Sequence, residues 1–260
     1  MTVLTISRQM GSFGDEIAEA LARRLNWTLI TRDRLIELFF APETSRHEQH
    51  MLSESARFYL NTFGEQGTYL DYLRKKLSEH VARQPSVLVG FGSQILFADD
   101  PAAVHVRITA PEDIRIGRVR RQFSLSVPDA GRVVETAERK HRRFVSTLYG
   151  VDLTENHLYD LTLNTASLSV EDCVAAILAV QTERGRRREM EMQVVDSEIV
   201  VNPTERTFKN PAEIEFARIL DMYQIEWVYE PKTFPIEWDA EGNVTLAFSP
   251  DFYLPQFDTY

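Results

Sequence analysis

Apolar residues fall into two rhythms along this chain. Val3-Leu4-Thr5-Ile6, Ser86-Val87-Leu88-Val89-Gly90, Val104-His105-Val106-Arg107-Ile108 and Tyr159-Asp160-Leu161-Thr162-Leu163-Asn164 are short, strand-like runs, and Trp27-Thr28-Leu29-Ile30 is a weaker one. Helical spacing fills the stretches between them. Asp15–Leu25 is apolar at Ile17, Ala18, Leu21, Ala22 and Leu25, and further helices are predicted over about 32–39, 45–60, 69–83, 92–98, 112–122, 128–149 and 169–182. Pro111 and Pro128 mark helix starts, and Ser169-Val170-Glu171-Asp172 carries a capping-box pattern. Strands that alternate with helices predict an α/β fold with a parallel five-stranded sheet and helices on both faces. Ligands of such sheets bind at the carboxyl ends of the strands, here the turns after Ile6 and at Gly90-Phe91-Gly92-Ser93.

The texture changes past residue 182. Residues 183–209 are charged, with one apolar patch at Ile199-Val200-Val201. Residues 210–260 then read as a small α+β segment. A helix runs from Pro211 to about Tyr223, strands cover Ile225–Tyr229 and Thr233–Trp238, and a turn at Asp239–Asn243 leads into Val244–Phe248. Three parts follow: a domain over 1–182, a linker over 183–209 and a partial domain over 210–260.

The chain has 260 residues, 43% hydrophobic and 26% charged, with a net charge of −10. This is the balance of a soluble globular protein. No apolar run approaches the roughly 20 residues of a membrane span, and the start lacks a signal-peptide pattern. Together with the lone Cys173, these features point to a cytoplasmic protein. Residues 181–260 hold 8 Lys/Arg against 16 Asp/Glu, and residues 1–180 hold 21 against 23, so neither part has the basic excess of a nucleic-acid binder. The one basic run, Arg184–Arg188, is followed by Glu189 and Glu191 and reads as a solvated connector helix.

The candidate chemistry starts at the first turn. Ser7-Arg8-Gln9-Met10-Gly11-Ser12-Phe13-Gly14 joins a strand to a helix, so backbone N–H groups and the positive end of a helix dipole converge on one point. A phosphate fits there. A complete phosphate loop continues with Lys and a Ser or Thr that binds magnesium, whereas this chain has Asp15 and Glu16.

Five blocks in order carry a resemblance over the first ~180 residues. They are Thr5–Ala18, Val87–Gly92, His105–Pro111, Leu148–Asp152 and Leu158–Thr165. The segment resembles the cytidylate kinase-like family of P-loop nucleoside monophosphate kinases. The resemblance implies ATP-dependent phosphorylation of a pyrimidine nucleoside monophosphate, with ATP and Mg2+ as cofactors and a nucleotide as the ligand. It places ATP phosphates at Arg8, Gly11, Ser12 and Gly14, the acceptor at Gly90, Gly92 and Ser93, and the transition state at Arg115, Arg118 and Arg142. Arg139, Lys140 and Arg143 stand where the family keeps lid arginines. No resident metal ligand is assigned.

Four positions depart from the family pattern. Asp15 replaces a basic residue, Phe91 replaces an arginine between two glycines, and Glu138 and His141 stand where an Asp and an Arg are usual. A pseudokinase that senses nucleotide or serves as an assembly module is the alternative. Residues 210–260 resemble the start of a PD-(D/E)XK nuclease-like domain through Glu213 or Glu215, the hairpin and Pro250-Asp251, but no Glu-x-Lys follows Asp251 in this sequence. The helices at 45–83 have no evident kinase role and offer a surface for a homodimer.

Overall fold

The computed structural model describes residues 3–196, 208–238 and 244–260. The apolar patch at 199–201 and the turn at 239–243 lie outside them. The chain divides into two compact units, Met1–Ser197 and Glu198–Tyr260.

The first unit is built on a five-stranded parallel sheet. Strands β1 (Val3–Arg8), β2 (Thr28–Ile30), β3 (Ser86–Val89), β4 (Val104–Thr109) and β5 (Leu161–Asn164) lie in the order β2-β3-β1-β4-β5. Between them run α1 (Gly14–Leu25), α2 (Arg32–Leu35), α3 (Arg46–Glu54), α4 (Tyr69–Arg83), α5 (Ser93–Leu96), α6 (Glu112–Phe123) and α7 (Val127–Tyr149), and α8 (Val170–Asp196) follows the last strand. The fold is the α/β kinase-like architecture expected from the sequence. The alternation of strand residues sorts them onto two faces. Leu4, Ile6, Val87, Val89, Val104, Val106 and Ile108 share one core with Ile17 and Leu21 of α1 and Cys173 and Ile177 of α8. Val3 and Leu88 share the other with apolar residues of α2, α4 and α7.

Local signals explain most helix ends. Acidic Asp15 and Glu16 open α1 and basic Arg23 and Arg24 close it, each complementing the helix dipole. Ser126 caps α7 by accepting from the Asp129 amide, and Gly150, with φ of 68°, ends it. Helix α8 is longer than the predicted 169–182, because the basic run Arg184–Arg188 continues the helix as a charged extension. Arg184 anchors that extension to β4 and β5 through two hydrogen bonds to Asp160, at 2.6 and 3.0 Å.

The predicted helix over 45–60 breaks at Ser55, where the backbone turns extended between α3 and a 3-10 turn at Ala56–Leu60. Helix α2 passes into a π-helical turn at Ile36–Phe40, and the helix predicted over 92–98 is the short α5. Of residues 45–83, Leu52, Tyr59, Tyr69, Tyr72, Leu73 and Leu77 are buried in the core of their own unit, while Leu60 is exposed.

The second unit contains α9 (Pro211–Met222), a pair of strands β6 (Val228–Tyr229) and β9 (Phe252–Tyr253), and a hairpin of β7 (Phe234–Trp238) and β8 (Val244–Phe248). The pairing of β6 with β9 was not foreseen. Among the described residues no helix is long and apolar enough to cross a membrane.

Candidate functional site

A cleft of about 860 Å³ opens at the carboxyl ends of the sheet strands, walled by residues from β1, the start of α2, residues 53–57, the end of β3, β4 and the middle of α7. Its charge is strongly one-sided. Arg8, Arg32, Arg57, Arg107, Lys140, Arg142 and Arg143 line it, against the acids Asp15, Glu54 and Glu138. Each cation is placed by a simple rule of the fold. Arg8 is the last residue of β1, Arg32 begins the helix after β2, and Arg107 pairs with Ser7 near the end of β4. Helix α7 is held by buried Phe144, Val145 and Leu148, and it brings residues 140–143 to the same cleft.

Arg8 makes the central contact of this wall. Its Nε donates to Asp15 Oδ1 at 2.9 Å, and both side chains are partly exposed. Gly90 gives the guanidinium room: at φ of 81°, a methyl there would sit 2.9 Å from Arg8 Nη1. Arg32 donates from Nη2 to the Leu52 carbonyl at 2.8 Å and lies 4.4 Å over the Phe144 ring, while its buried Nε has no hydrogen-bond partner. Arg107 lies 5.6 Å from the Tyr159 ring. His141 stands among these groups, and burial, then the charges of Arg8, Arg107 and Arg32, push its pKa down to about 4.

Of the three arginines grouped by the sequence reading, Arg115 and Arg142 flank the Glu138 carboxylate, at 2.8 and 3.8 Å, and Arg118 lies apart on the first loop. Arg142 lines the cleft. Arg115 is buried, donating to the Ala110 carbonyl and Glu138 Oε1 at 2.8 Å each and to the Met10 carbonyl at 3.5 Å. Arg118 donates to the Gly11 carbonyl at 3.2 Å and to Thr165 Oγ1 and O, and it stacks 3.9 Å over the Phe13 ring. Neither lines the large cleft. Both are engaged with carbonyl oxygens rather than turned into that cleft.

These contacts fix the loop instead. The Gln9 carbonyl accepts from the Ser12 amide and hydroxyl, the Met10 carbonyl from Arg115, the Gly11 carbonyl from Arg118 and the Ser12 carbonyl from Thr165 Oγ1. Three consecutive carbonyls are thereby held by partners outside the loop, and the one before them by Ser12 within it. Carbonyl and amide of a peptide unit point in opposite directions, so the plane of each intervening peptide is set.

Gly11, Ser12 and Gly14 do not line the cleft. Ser12 is fully buried. Gly11 has φ of 78°, and a side chain there would meet the Arg115 carbonyl at 2.8 Å. Gly14 packs on the Arg8 side chain. Of the second turn, Gly90 lines the cleft, Gly92 lies under the Tyr149 ring, and Ser93 is buried with its hydroxyl unpartnered. Phe91 borders the cleft from within the apolar core, and its carbonyl accepts from Tyr149 Oη at 2.8 Å.

Arg32, Arg57 and Arg107 were missed by the sequence reading, though two carried a signal. Arg107 stands on the polar phase of the alternating strand Val104–Thr109, close to its carboxyl end. Arg32 follows a strand's carboxyl end, where ligands of these sheets bind.

In the second unit, the Glu213 carboxylate is engaged by Tyr229 Oη at 2.5 Å, by the Lys209 amide at 2.8 Å and by Asn210 Nδ2. These hydrogen bonds, led by the tyrosine, hold its pKa below the usual carboxylate range. Glu215 and Asp251 are exposed. Among the described residues no three His, Cys, Asp or Glu side chains gather in a metal-binding cluster.

Residues 3–167 match the profile of the cytidylate kinase-like family. A cytidylate kinase of Pyrobaculum calidifontis is 24% identical over 174 residues, covering 67% of this chain and 89% of that protein. One of Pyrobaculum aerophilum is 26% identical over the same length and coverage. A solved structure of an uncharacterized protein from Eubacterium ventriosum superposes with a TM-score of 0.57 at 18% identity, over 70% of this chain and 98% of that one, a likeness of fold.

Proposed function

The chain belongs to the cytidylate kinase-like family, and we propose that its first unit binds ATP and a pyrimidine nucleoside monophosphate and transfers a phosphoryl group between them. The observation that carries this reading is the convergence of Arg8, Arg32, Arg107 and Arg142 on one cleft at the strand ends. In such a transfer, an acceptor phosphate oxygen bonds to the γ-phosphorus of ATP as the bond to the β,γ-bridging oxygen breaks, and ADP leaves. Little covalent work falls to the protein, whose task is to position two polyanions and offset their charge. The cleft's guanidinium groups suit that task, since their planar forks match phosphate oxygens.

In this reading Arg8, Arg32, Arg107, Arg142 and Arg143 hold phosphate oxygens. Arg115 and Arg118 are positioning residues that set the loop from behind. Magnesium would accompany the triphosphate and offset part of its charge. The setting proposed is the cytoplasm, and buried Cys173 fits a reducing compartment.

The Arg8–Asp15 ion pair favours a second reading, in which nucleotide binds without turnover. A carboxylate already neutralises this cation of the cleft wall, as suits a pseudokinase that senses nucleotide or carries the second unit as an assembly module. The resemblance of that unit to the start of a PD-(D/E)XK nuclease-like domain remains part of this second reading, supported by the order helix, hairpin, Pro250-Asp251. A coupled ADP-release assay with CMP, dCMP, UMP and AMP separates the two. Turnover with a pyrimidine monophosphate supports transfer, and binding with no ADP release from any acceptor supports the sensor.

A further inference from the structure

We infer that His141 is a phosphate-binding residue that becomes cationic only when a polyphosphate enters the cleft, so that binding draws a proton from solution. The inference rests on the cleft being the phosphate site proposed above, and it gives a role to a side chain that departs from the family pattern.

The geometry comes first. His141 lies on the cleft-facing side of α7 and shares the wall with Arg8 of β1, Arg32 of α2 and Arg107 of β4. It is half-buried, and no hydrogen-bonded carboxylate stabilises an imidazolium there among the described residues. The remaining charged groups of the wall are Asp15 of α1, Glu54 of α3, Arg57 of the following turn, and Glu138, Lys140, Arg142 and Arg143 of α7 itself. Two of these acids are occupied elsewhere, Asp15 with Arg8 and Glu138 with Arg115. Burial first, and then the charges of Arg8, Arg107 and Arg32, keep the imidazole neutral before an anion binds.

A bound polyphosphate reverses that field. Its negative oxygens offset Arg8, Arg32 and Arg107 and accept hydrogen bonds from the imidazole N–H groups, and both effects favour the charged ring. The proton taken up supplies the cation that an arginine at this position would carry permanently. By linkage, affinity rises as pH falls through the bound-state pKa and levels off near the free-state value of about 4.

The test is calorimetric titration of the full chain with inorganic pyrophosphate, from about pH 8 to about pH 5.5, in buffers of different ionisation enthalpy. Pyrophosphate itself gains protons over this range, so the wild type is read against His141→Gln at each pH. The expected result is an affinity advantage of the wild type that grows as pH falls, by up to about tenfold per pH unit, with up to one extra proton taken up per pyrophosphate. His141→Arg should show no proton uptake beyond that of His141→Gln, while binding at least as tightly as the wild type at high pH. Parallel profiles of wild type and His141→Gln, with equal proton uptake, overturn the inference and leave the phosphate site standing. Failure of every form to bind pyrophosphate at any pH removes both.

Discussion

Arg8 Nε donates to Asp15 Oδ1 at 2.9 Å, so this guanidinium of the cleft wall is already paired within its own chain. An entering phosphate must share Arg8 with that carboxylate and meet its charge. Asp15→Asn keeps the shape and removes the charge. It should tighten ATP binding by about 1 kcal/mol, roughly fivefold, because the displaced pair is partly exposed and worth little by itself. Calorimetric titration with ATP checks this, and unchanged or weaker binding would mean that Asp15 does not compete with phosphate.

Arg107 makes no ion pair among those described, lying 5.6 Å from the Tyr159 ring and lining the cleft. Charge-assisted hydrogen bonds to phosphate are worth about 1.5–3 kcal/mol each. Arg107→Ala should therefore weaken ATP or CMP binding by roughly 10- to 100-fold. A melting temperature close to that of the wild type would show that the loss lies in binding, whereas full affinity in the variant would take Arg107 out of the site.

The Arg115–Glu138 pair behaves differently. At 2.8 Å and with 6% and 18% side-chain exposure, it joins α6 to α7, and Gln9 Nε2 donates to the same carboxylate oxygen. Removing one partner leaves the other charge buried, a loss of roughly 3–5 kcal/mol. Glu138→Ala should lower the unfolding midpoint of the first unit by roughly 6–20 °C. Arg139→Ala, which removes an exposed pair with Glu135, should shift it little. Similar shifts for both variants, by differential scanning calorimetry, would contradict the assignment of Arg115 as a positioning residue.

Free-state stability should also depend on pH through His141. Its folded pKa is depressed to about 4 from an ordinary value of 6.5. Between those values the unfolded chain binds the extra proton, so stability rises with pH across that window and falls as the solution is acidified. His80 and His105 are also depressed, chiefly by burial, and act in the same direction. The specific expectation is that His141→Gln flattens part of the decline in unfolding free energy from about pH 7 to about pH 5. An identical slope in the variant would place the dependence in the other two histidines.

The sheet was legible because each strand is short, apolar and set off by turn residues, and each core face follows from simple alternation. Helix α7 was legible from Pro128 and from the apolar positions that now bury Val134, Phe144 and Val145. Site residues were harder to read. Arg115 and Arg118 share a helix turn and follow a strand end, as phosphate ligands would, but their direction depends on carbonyls contributed by residues about 100 positions earlier. Glycine positions marked the turns correctly, but the close approach of the Tyr149 ring to Gly92 is a tertiary contact that the sequence does not announce. The break at Ser55 and the pairing of β6 with β9 are tertiary outcomes, and no local period announces them.

The most direct measurement is the binding of ATP to the purified chain by isothermal titration calorimetry, repeated with Arg8→Ala/Arg107→Ala. The account predicts saturable one-to-one binding to the wild type and a loss of at least roughly a hundredfold in the double variant, with its fold intact by circular dichroism. Equal affinity in both, or a folded wild type that binds no ATP, would contradict the claim that this cleft receives nucleotide phosphates.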